Sequence, residues 1–468
     1  MKSHILRIGN AQAFWGDDPD APARLLAQEP RLDYLTLDYL AEVSLSILAI
    51  QRERDPSAGY ARDFIDVIRS LVPLWKNGSK IRLITNAGGL NPKGCARACI
   101  ETLYAAGCGH LKVYTVSGDD VLSHLKISSI SPLSRGRERG GGAAGDFKNL
   151  ETGKPLTTIL DRLVTANAYL GAQPMVEALR AGADIVITGR VADPSLTVAP
   201  CVAHFGWSWD DFDRIAGATV AGHLIECGAQ ATGGFSTDWL RLPKPDEIGF
   251  PIAEISANGS CVITKPKGTG GAVNLRTVKE QLLYEIGDPG RYLSPDVTVS
   301  FLSLSVKEIG KNRVEIKGAR GKSPTSSHKV SATYRDGFKA HGTLTIFGRD
   351  AVKKARRCGE VILQRIRRAG YKLERSLVEC LGTGASVQGI AGKVDESDLL
   401  ETVLRISVAD SRREAVERFT KELAPLITSG PQGVTGYAVG RPRVQPVFGY
   451  WPCLIEKSAV KPETKIMF

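Results

Sequence analysis

The sequence predicts an α/β amino-terminal domain with a mainly parallel sheet, followed by an α+β domain for which a ferredoxin-like arrangement is one candidate. The chain has 468 residues, of which 43% are hydrophobic and 24% charged, an ordinary globular balance with room for two or three domains. Short apolar runs alternate with helical patterns in the first half, whereas shorter β-branched runs dominate from about residue 250. We therefore expect domains over residues 1–250 and 251–468.

Strands and helices alternate through the first predicted domain. Apolar runs predict strands over residues 35–40, 81–85, 111–116 and 184–188. Helical spacing of apolar residues predicts helices over residues 41–51, 59–74, 93–106 and 166–181. This alternation favours a parallel sheet, whose ligands bind in a crevice at the carboxyl ends of the strands. The glycine-rich segment 131–153 predicts an irregular loop, either a tolerated surface insertion or a lid.

The second predicted domain combines strands with two helices. Its strands are predicted over residues 260–264, 297–306, 313–317, 329–334, 342–347 and 402–408, with a further extended piece near Leu377. Residues 349–375 predict an amphipathic helix with a solvated basic face, and residues 410–423 predict a second helix.

Charge and cysteine content narrow the class of protein. The formal net charge is +11, but the basic residues are dispersed and accompany no zinc-finger, RNP or helix-turn-helix pattern, so no nucleic-acid partner is expected. No run of 18 apolar residues predicts a membrane span, and the short apolar start is interrupted by Arg7. Nine scattered cysteines suit reduced thiols. We expect a cytoplasmic homo-oligomer that binds a small anionic or CoA-linked substrate.

Polar residues follow the predicted strands and are candidates for a shared site. Asn10 follows the first short strand, and Asp38 and Glu42 lie at the end of the next one, where both could act as general acid or base. The loop 86–92 carries four candidate substrate-binding residues: Asn86, Gly88, Gly89 and Asn91. This loop either lets a ligand approach its backbone or is a tight turn with an Asn helix cap, and it matches no nucleotide motif.

The loop after the predicted strand 184–188 contributes a basic group. Arg190 could hold a carboxylate or phosphate, with Gly189 and Asp193 as further substrate-binding candidates. The same sequence is equally compatible with Arg190 and Asp193 pairing with each other inside the loop.

The densest cluster of reactive residue types lies at residues 222–234. His223 and Glu226 are three residues apart, so on a helix they share a face and could transfer protons or supply two metal ligands. Gln230 is a substrate-binding candidate, and Cys227 would be a nucleophile only with a lowered pKa. A buried histidine with satisfied hydrogen bonds is the alternative. No third metal ligand is evident, so a divalent metal cofactor is left open.

A glycine loop with basic neighbours is a further candidate for anion binding. Thr269, Gly270 and Gly271 could present backbone N–H groups to a phosphate or carboxylate, with Lys279 nearby in the sequence. A β-hairpin connection with surface lysines explains the same pattern.

Four sulfur and imidazole side chains invite a test for a metal site. They are Cys95, Cys99, Cys108 and His110. Their spacing matches no zinc finger or iron–sulfur motif, and we expect Cys95 and Cys99 to pack against the sheet.

Several strings taken together resemble one family. They are GNAQ and FWGDDPDAPARLL from Gly9 onward, TLDYLAE at Thr36, NAGGLNP at Asn86, ADIVITGRVADPS at Ala183, GHLIECGAQATGGF at Gly222 and TVKEQLLYEIGDP at Thr277. Their combination is similar to the acyclic terpene utilisation AtuA family over residues 7–389. The resemblance implies a place in the catabolism of citronellol- and geraniol-type compounds, alongside geranyl-CoA carboxylase, and transfers no catalytic residue.

These observations favour a catabolic enzyme of lyase or hydratase type, acting on a CoA-thioester or carboxylated small molecule in acyclic terpene or related branched-acid degradation. Either His223 with Glu226, or Asp38 with Glu42, would transfer protons, and Arg190 would hold an anionic or carbonyl group. The alternative is a non-catalytic partner subunit of an acyl-CoA enzyme complex, docked through its basic helix and α+β domain. A third and weaker hypothesis is a metal-dependent hydrolase.

Overall fold

The computed structural model describes residues 5–130, 147–390, 392, 394–437 and 440–468. Contacts divide the chain into two compact units, Met1–Thr333 with Tyr450–Phe468, and Tyr334–Gly449. Most of the glycine-rich segment, residues 131–146, lies outside the described residues. The division at residue 250 into two folding domains stays a prediction.

The strands and helices have the following bounds. The strands are β1 (Ile5–Asn10), β2 (Tyr34–Leu37), β3 (Arg82–Thr85), β4 (Val113–Ser117), β5 (Leu163–Ala168), β6 (Ile185–Thr188), β7 (Ile252–Ser256), β8 (Cys261–Thr264), β9 (Tyr292–Leu293), β10 (Thr298–Ser300), β11 (Ser305–Gly310), β12 (Arg313–Lys317), β13 (Arg320–Lys322), β14 (Ser327–Phe347), β15 (Arg375–Leu381), β16 (Glu401–Asp410), β17 (Val434–Thr435), β18 (Gln445–Glu456) and β19 (Glu463–Met467). The helices are α1 (Ala21–Gln28), α2 (Ser44–Arg54), α3 (Phe64–Lys76), α4 (Pro92–Ala105), α5 (Leu122–Ile130), α6 (Gln173–Arg180), α7 (Ser195–Phe205), α8 (Phe212–Ile225), α9 (Leu275–Leu283), α10 (Ala351–Arg368), α11 (Arg413–Thr420) and α12 (Leu426–Ser429).

A large mixed sheet lies at the centre of the first unit, and the prediction of an α/β fold is confirmed. Its strand order is β11-β12-β8-β7-β1-β2-β3-β6-β4-β19. The five strands from β1 to β4 in this order are parallel, whereas the flanking pairs are antiparallel. The prediction of a mainly parallel sheet is therefore wrong for the sheet as a whole. The physical reason is the short connection from β7 to β8, which permits only antiparallel pairing and extends the sheet beyond β1.

Both faces of the parallel region are buried, which explains its apolar sequence. Leu35 and Leu37 of β2 pack in one apolar cluster with residues of α1, α3 and α4. Ile84 and Val186 lie outside that cluster and are also fully buried. Because successive strand residues point to opposite faces, the sheet is covered on both sides, with α6, α7 and α8 also contacting its strands.

The carboxyl ends of the parallel strands place polar residues along one edge of the sheet. Asn10 ends β1, whereas Asp38, Asn86, Asp119 and Gly189 follow β2, β3, β4 and β6 within two residues. This is the edge at which ligands bind in open α/β sheets.

One predicted helix begins too early in the sequence. The expected helix over residues 166–181 is instead strand β5 followed by α6. Strand β5 pairs with β14, and the hydroxyls of Thr165 and Thr333 lie 2.7 Å apart, so tertiary pairing overrides the local helical pattern. As a result Tyr169 follows a strand end instead of lying within a helix. The predicted elements corresponding to β2, β3, β4, β6, α2, α3 and α4 lie within five residues of their expected bounds.

The second unit contains an antiparallel sheet of order β15-β16-β14-β17. The chain order β14-α10-β15-β16-α11-β17 follows a β-α-β-β-α-β pattern. The apolar face of α10, including Val352, Ile362 and Ile366, packs in the core of this unit. The predicted strands 329–334 and 342–347 are parts of the single strand β14.

In the part of the chain that the structure describes, no helix combines the length and apolar character needed to cross a membrane.

Candidate functional site

Two neighbouring cavities lie in the first unit, at residues that follow the parallel strands. The first has a volume of about 360 Å³ and the second about 430 Å³. Four acidic residues line both cavities: Glu42, Asp193, Glu226 and Glu285. Because they share these walls, the cavities form one cleft with two parts, hereafter the first cavity and the second cavity.

The two cavities differ in charge. Besides the shared acids, four basic or imidazole side chains line the first cavity: Arg190, His223, His328 and Lys329. Among the described residues that line the second cavity there is no lysine, arginine or histidine, and Asp17 and Asp38 add to its acidic groups. An anionic ligand group is therefore favoured in the first cavity and repelled from the second.

His223 and Glu226 form a hydrogen-bonded pair at the end of α8. His223 Nδ1 lies 3.2 Å from Glu226 Oε1, and His223 Nε2 lies 2.9 Å from the carbonyl oxygen of Gln281. A carbonyl only accepts, so Nε2 carries a hydrogen; the contact at Nδ1 then needs one proton, on either the imidazole or the carboxyl group. The side-chain amide of Gln281 donates to the backbone carbonyl of His223 at 3.0 Å, so two hydrogen bonds join these residues.

This pair satisfies both alternatives drawn from the sequence. His223 is 2% exposed with both ring nitrogens hydrogen-bonded, as in a buried structural histidine. It nevertheless lines the first cavity, and Glu226 Oε2 is buried without a hydrogen-bond partner among the described residues. The arrangement can therefore hold a proton at the wall of a cavity that is large enough for a small molecule.

The guanidinium of Arg190 already contacts other groups of the protein. Its side chain is 2% exposed, Nη1 donates to the carbonyl of Leu40, and Nη2 lies 3.1 Å from Asp193 Oδ1. The guanidinium carbon lies 4.1 Å from the ring centroid of Tyr169, whose hydroxyl donates to Glu42 at 3.1 Å. Burial alone would lower the pKa of Arg190, but Asp193 and Tyr169 raise it above its ordinary value. The pairing of Arg190 with Asp193 is thus present, and the guanidinium is committed to it.

Burial and nearby charges shift the pKa values of the carboxyl groups around this guanidinium in different directions. Burial raises the pKa of Asp38 to about 7, although Arg190 and a hydrogen bond from Asn86 act in the opposite direction. Burial likewise raises the pKa of Asp193, against the effect of Arg190. Burial also disfavours the charge of Glu42, but its own backbone N–H, Arg190 and Lys329 leave the pKa of Glu42 lowered. The carboxyl groups of the cleft therefore differ in how readily they lose a proton.

Three buried residues form hydrogen bonds with residues that line the cleft. Asn86 Nδ2 donates to Asp38 Oδ1 at 2.7 Å, and its Oδ1 accepts the backbone N–H of Tyr39. Asn10 Nδ2 donates to the backbone carbonyl of Glu226 at 3.2 Å. Asp119 accepts the backbone N–H of Arg190 at 2.8 Å, and burial raises its pKa to about 6. Asn10 and Asn86 line neither cavity and contact residues that do, so the predicted contact of these two residues with substrate stays a prediction.

The remaining residues of the Asn86 loop and Gly189 serve packing. A Cβ at Gly88 would lie 2.5 Å from the carbonyl oxygen of Thr188, so only glycine permits this close approach of the loops after β3 and β6. Asn91 caps α4 by accepting the N–H of Gly94 at 2.9 Å. Gly89 packs beside Leu48, and Gly189 packs against the carboxyl group of Asp119. These four candidates line neither cavity.

The loop with Thr269, Gly270 and Gly271 also lies away from the cleft. The N–H of Gly270 donates to the carbonyl of Glu247, and that of Gly271 to the carbonyl of Pro243, so neither is free for an anion. Thr269 donates to the carbonyl of Pro266 at 2.7 Å. Lys279 is exposed on α9 and lines neither cavity. Gln230, in contrast, lines the second cavity as a substrate-binding residue would.

Burial raises the pKa of three cysteines in the candidate motifs, Cys95, Cys99 and Cys227. Burial and the neighbouring Glu226 raise the pKa of Cys227, which disfavours a thiolate nucleophile there. Cys95 and Cys99 pack in the apolar cluster beside the sheet, and burial raises the pKa of Cys99 to about 12. Within the described residues, no group of three His, Cys, Asp or Glu side chains is arranged to hold a metal ion.

Sequence reasoning missed several cavity residues. They are Tyr169, Glu285, Tyr292, His328 and Lys329. Tyr169 could have been found if β5 had been recognised, because it directly follows that strand. Glu285 has a left-handed backbone with φ of +59°, a conformation that costs free energy in a non-glycine residue and often marks functional sites. His328 and Lys329 lie inside an ordinary strand pattern, so no local signal distinguished them.

Comparison with known proteins gives one match. A family model described as "Acyclic terpene utilisation family protein AtuA" matches residues 6–466. No functionally curated protein and no solved structure matches the chain. The family resemblance of the individual strings is thus confirmed over nearly the whole chain.

Proposed function

Because the chain belongs to the acyclic terpene utilisation AtuA family, we propose that it is a catabolic enzyme that performs acid–base chemistry of lyase or hydratase type. Its substrate would be a small carboxylated or CoA-linked molecule of acyclic terpene or related branched-acid degradation. The observation that carries the proposal is the contact between His223 Nδ1 and Glu226 Oε1 at the wall of a cavity that also contains a cation.

The cleft offers the two proton-transferring groups that such a reaction needs. In the elimination direction a lyase or hydratase removes a proton from carbon and protonates the departing oxygen. In the addition direction it removes a proton from water and protonates carbon, so either direction requires one base and one acid. The His223–Glu226 pair lines the first cavity, and Asp38, whose pKa burial raises to about 7, lines the second. Asp38, with its pKa raised to near neutral pH, is suited to either role. In this proposal Asn86 and Asn10 position Asp38 and Glu226.

Substitution of the proton-holding pair tests the proposal. H223Q and E226Q keep polar side chains of similar size but remove the shared proton, and we expect each to reduce activity by about 100-fold or more. The readout is growth on an acyclic terpene alcohol of a strain that lacks the gene and is complemented by each variant. K279Q, which changes an exposed lysine outside both cavities, is the matched control and should support normal growth.

Normal growth with both H223Q and E226Q, at unchanged protein level and melting temperature, would contradict the proposal. Loss of growth with K279Q would show instead that the anion-binding role expected of Lys279 from sequence is real and that the site lies elsewhere.

The alternative of a non-catalytic partner subunit rests on the basic helix α10. Three of its basic side chains pair with acidic residues of the same unit: Lys353 with Asp350, Arg356 with Glu396, and Arg357 with Glu360. These ion pairs reduce the free positive charge that docking would use. This alternative predicts a stable stoichiometric complex in a pull-down and no turnover by the isolated chain.

A further inference from the structure

We infer that the first cavity binds a small aliphatic acid as the free carboxylate, and that Lys329 is the residue that binds this carboxylate. The inference rests on the proposed function and names its substrate class. It assigns to Lys329 the anion-binding role that was predicted for Arg190.

Lys329 is held at the cavity by aromatic rings, not by an acidic partner. Its ammonium nitrogen lies 5.1 Å from the ring centroid of Tyr169 and 5.8 Å from that of Tyr450. Within the described ranges of the chain, no carboxylate lies close enough to form an ion pair with it. The side chain is exposed and lines the first cavity. Aromatic faces attract the ammonium without neutralising it, so its charge remains available to a ligand.

Arg190 and His328 are less able to bind an anion. Arg190 would have to leave the carbonyl of Leu40 and the carboxylate of Asp193 to form the same contact. Burial and the charge of Lys457 lower the pKa of His328 to about 4, so its ring is neutral at pH 7. Lys329 is therefore the cation of the first cavity that a ligand can neutralise without breaking an existing contact.

The arrangement of charge and apolar surface defines the rest of the ligand. The shared acids and the acidic second cavity repel an anion, so the carboxylate must lie toward Lys329. Leu150, Leu293, Pro295 and Leu454 provide apolar surface within the same cavity. A volume of about 360 Å³ suits a short or branched aliphatic chain. The phosphates of a coenzyme A group would need several free cations, and the described lining residues supply one.

Binding of matched ligands to matched variants tests the inference. Isothermal titration calorimetry with a set of branched and straight aliphatic acids of four to eight carbons, including 3-methylbutanoate, is compared with the corresponding neutral amides. We expect at least one acid to bind the wild type and its amide to bind at least tenfold more weakly. K329M should weaken binding of that acid at least tenfold, whereas K329R should retain it within threefold. K279M, which removes a lysine outside the cavities, should leave the affinity unchanged.

Equal affinity of K329M and wild type, equal affinity of acid and amide, or no binding by any acid would overturn the inference. An acyl-CoA that binds wild type and K329M equally and displaces the acid would also overturn it. H223Q separates this inference from the proposed function, because it should lose activity and still bind the acid. If H223Q is inactive but K329M binds normally, the inference fails and the proposed function stands. If K329M loses binding while H223Q stays active, the carboxylate site stands and the proposed function fails.

Discussion

At the scale of single residues, the cleft is controlled by the burial of charged groups around Arg190. The guanidinium of Arg190 faces Asp193 directly, and Asp38 and Glu42 also raise its pKa, whereas burial raises the pKa values of Asp38 and Asp193. Asp38 is the clearest case because burial raises its pKa to about 7. Its ionisation is therefore expected to change stability near neutral pH.

The effect of Asp38 on stability has a definite sign. The folded state binds the Asp38 proton more tightly than the unfolded state does, so this group favours folding at low pH. That contribution is lost as the pH rises from about 4 through about 7. We expect the free energy of unfolding of the wild type to fall by about 1–3 kcal/mol more than that of D38N between pH 5 and pH 8. Urea denaturation of both proteins across this range measures the difference.

E101Q is the control for the pH series, because Glu101 is an exposed acid on α4 outside the cleft. It should show the same pH dependence as the wild type. Parallel curves for wild type and D38N would mean that Asp38 is ionised throughout the range.

At the scale of elements, sequence reasoning located the site through strand ends. Asp38, Asn86 and Gly189 were recognised because short apolar strands precede them, and the structure places these residues at one edge of the parallel sheet. Their individual roles could not be predicted in this way. Whether Asn86 contacts a ligand or Asp38 depends on side-chain packing between distant segments, which leaves no periodic pattern in the sequence. Tyr169 was missed because helix α6 was predicted to begin too early. Strand β5 is defined by its pairing with β14, which is a contact between distant segments.

Asn91 shows how an element-level role differs from a ligand contact. Its side chain accepts the N–H of Gly94 at the start of α4 and donates to the carbonyls of Ser57 and Ala58, each at 3.0 Å. We expect N91A to lower the free energy of unfolding by about 1–2 kcal/mol through loss of this cap, with carboxylate affinity unchanged within twofold. Urea denaturation and calorimetry on one preparation check both values. Unchanged stability with lost affinity would assign Asn91 to substrate binding.

At the scale of the whole molecule, the cleft assembles residues that are far apart in the chain. His223 contacts Gln281, Arg190 contacts Leu40, and Tyr169 contacts both Glu42 and the Lys329 ammonium. The antiparallel strands β7, β8, β11 and β12 were assigned from sequence to another domain but extend the central sheet. A short β-branched run predicts that a strand forms but not which strand it pairs with. Neither the extension of the sheet nor the contacts around Lys329 could therefore be predicted from local sequence. Homo-oligomer formation stays a prediction, which light scattering against the chain mass of 50.4 kDa would test.

The central claim, that the His223–Glu226 pair takes part in acid–base chemistry on a small substrate, is tested most directly by deuterium incorporation at carbon. Purified wild type, H223Q, E226Q and K279Q are incubated in D₂O with small aliphatic acids and their CoA thioesters, and the recovered compounds are analysed by mass spectrometry. We predict that wild type and K279Q introduce solvent deuterium at carbon in at least one compound, at a rate about 100-fold or more above that of H223Q and E226Q. Incorporation at the same rate by H223Q and wild type would contradict the account.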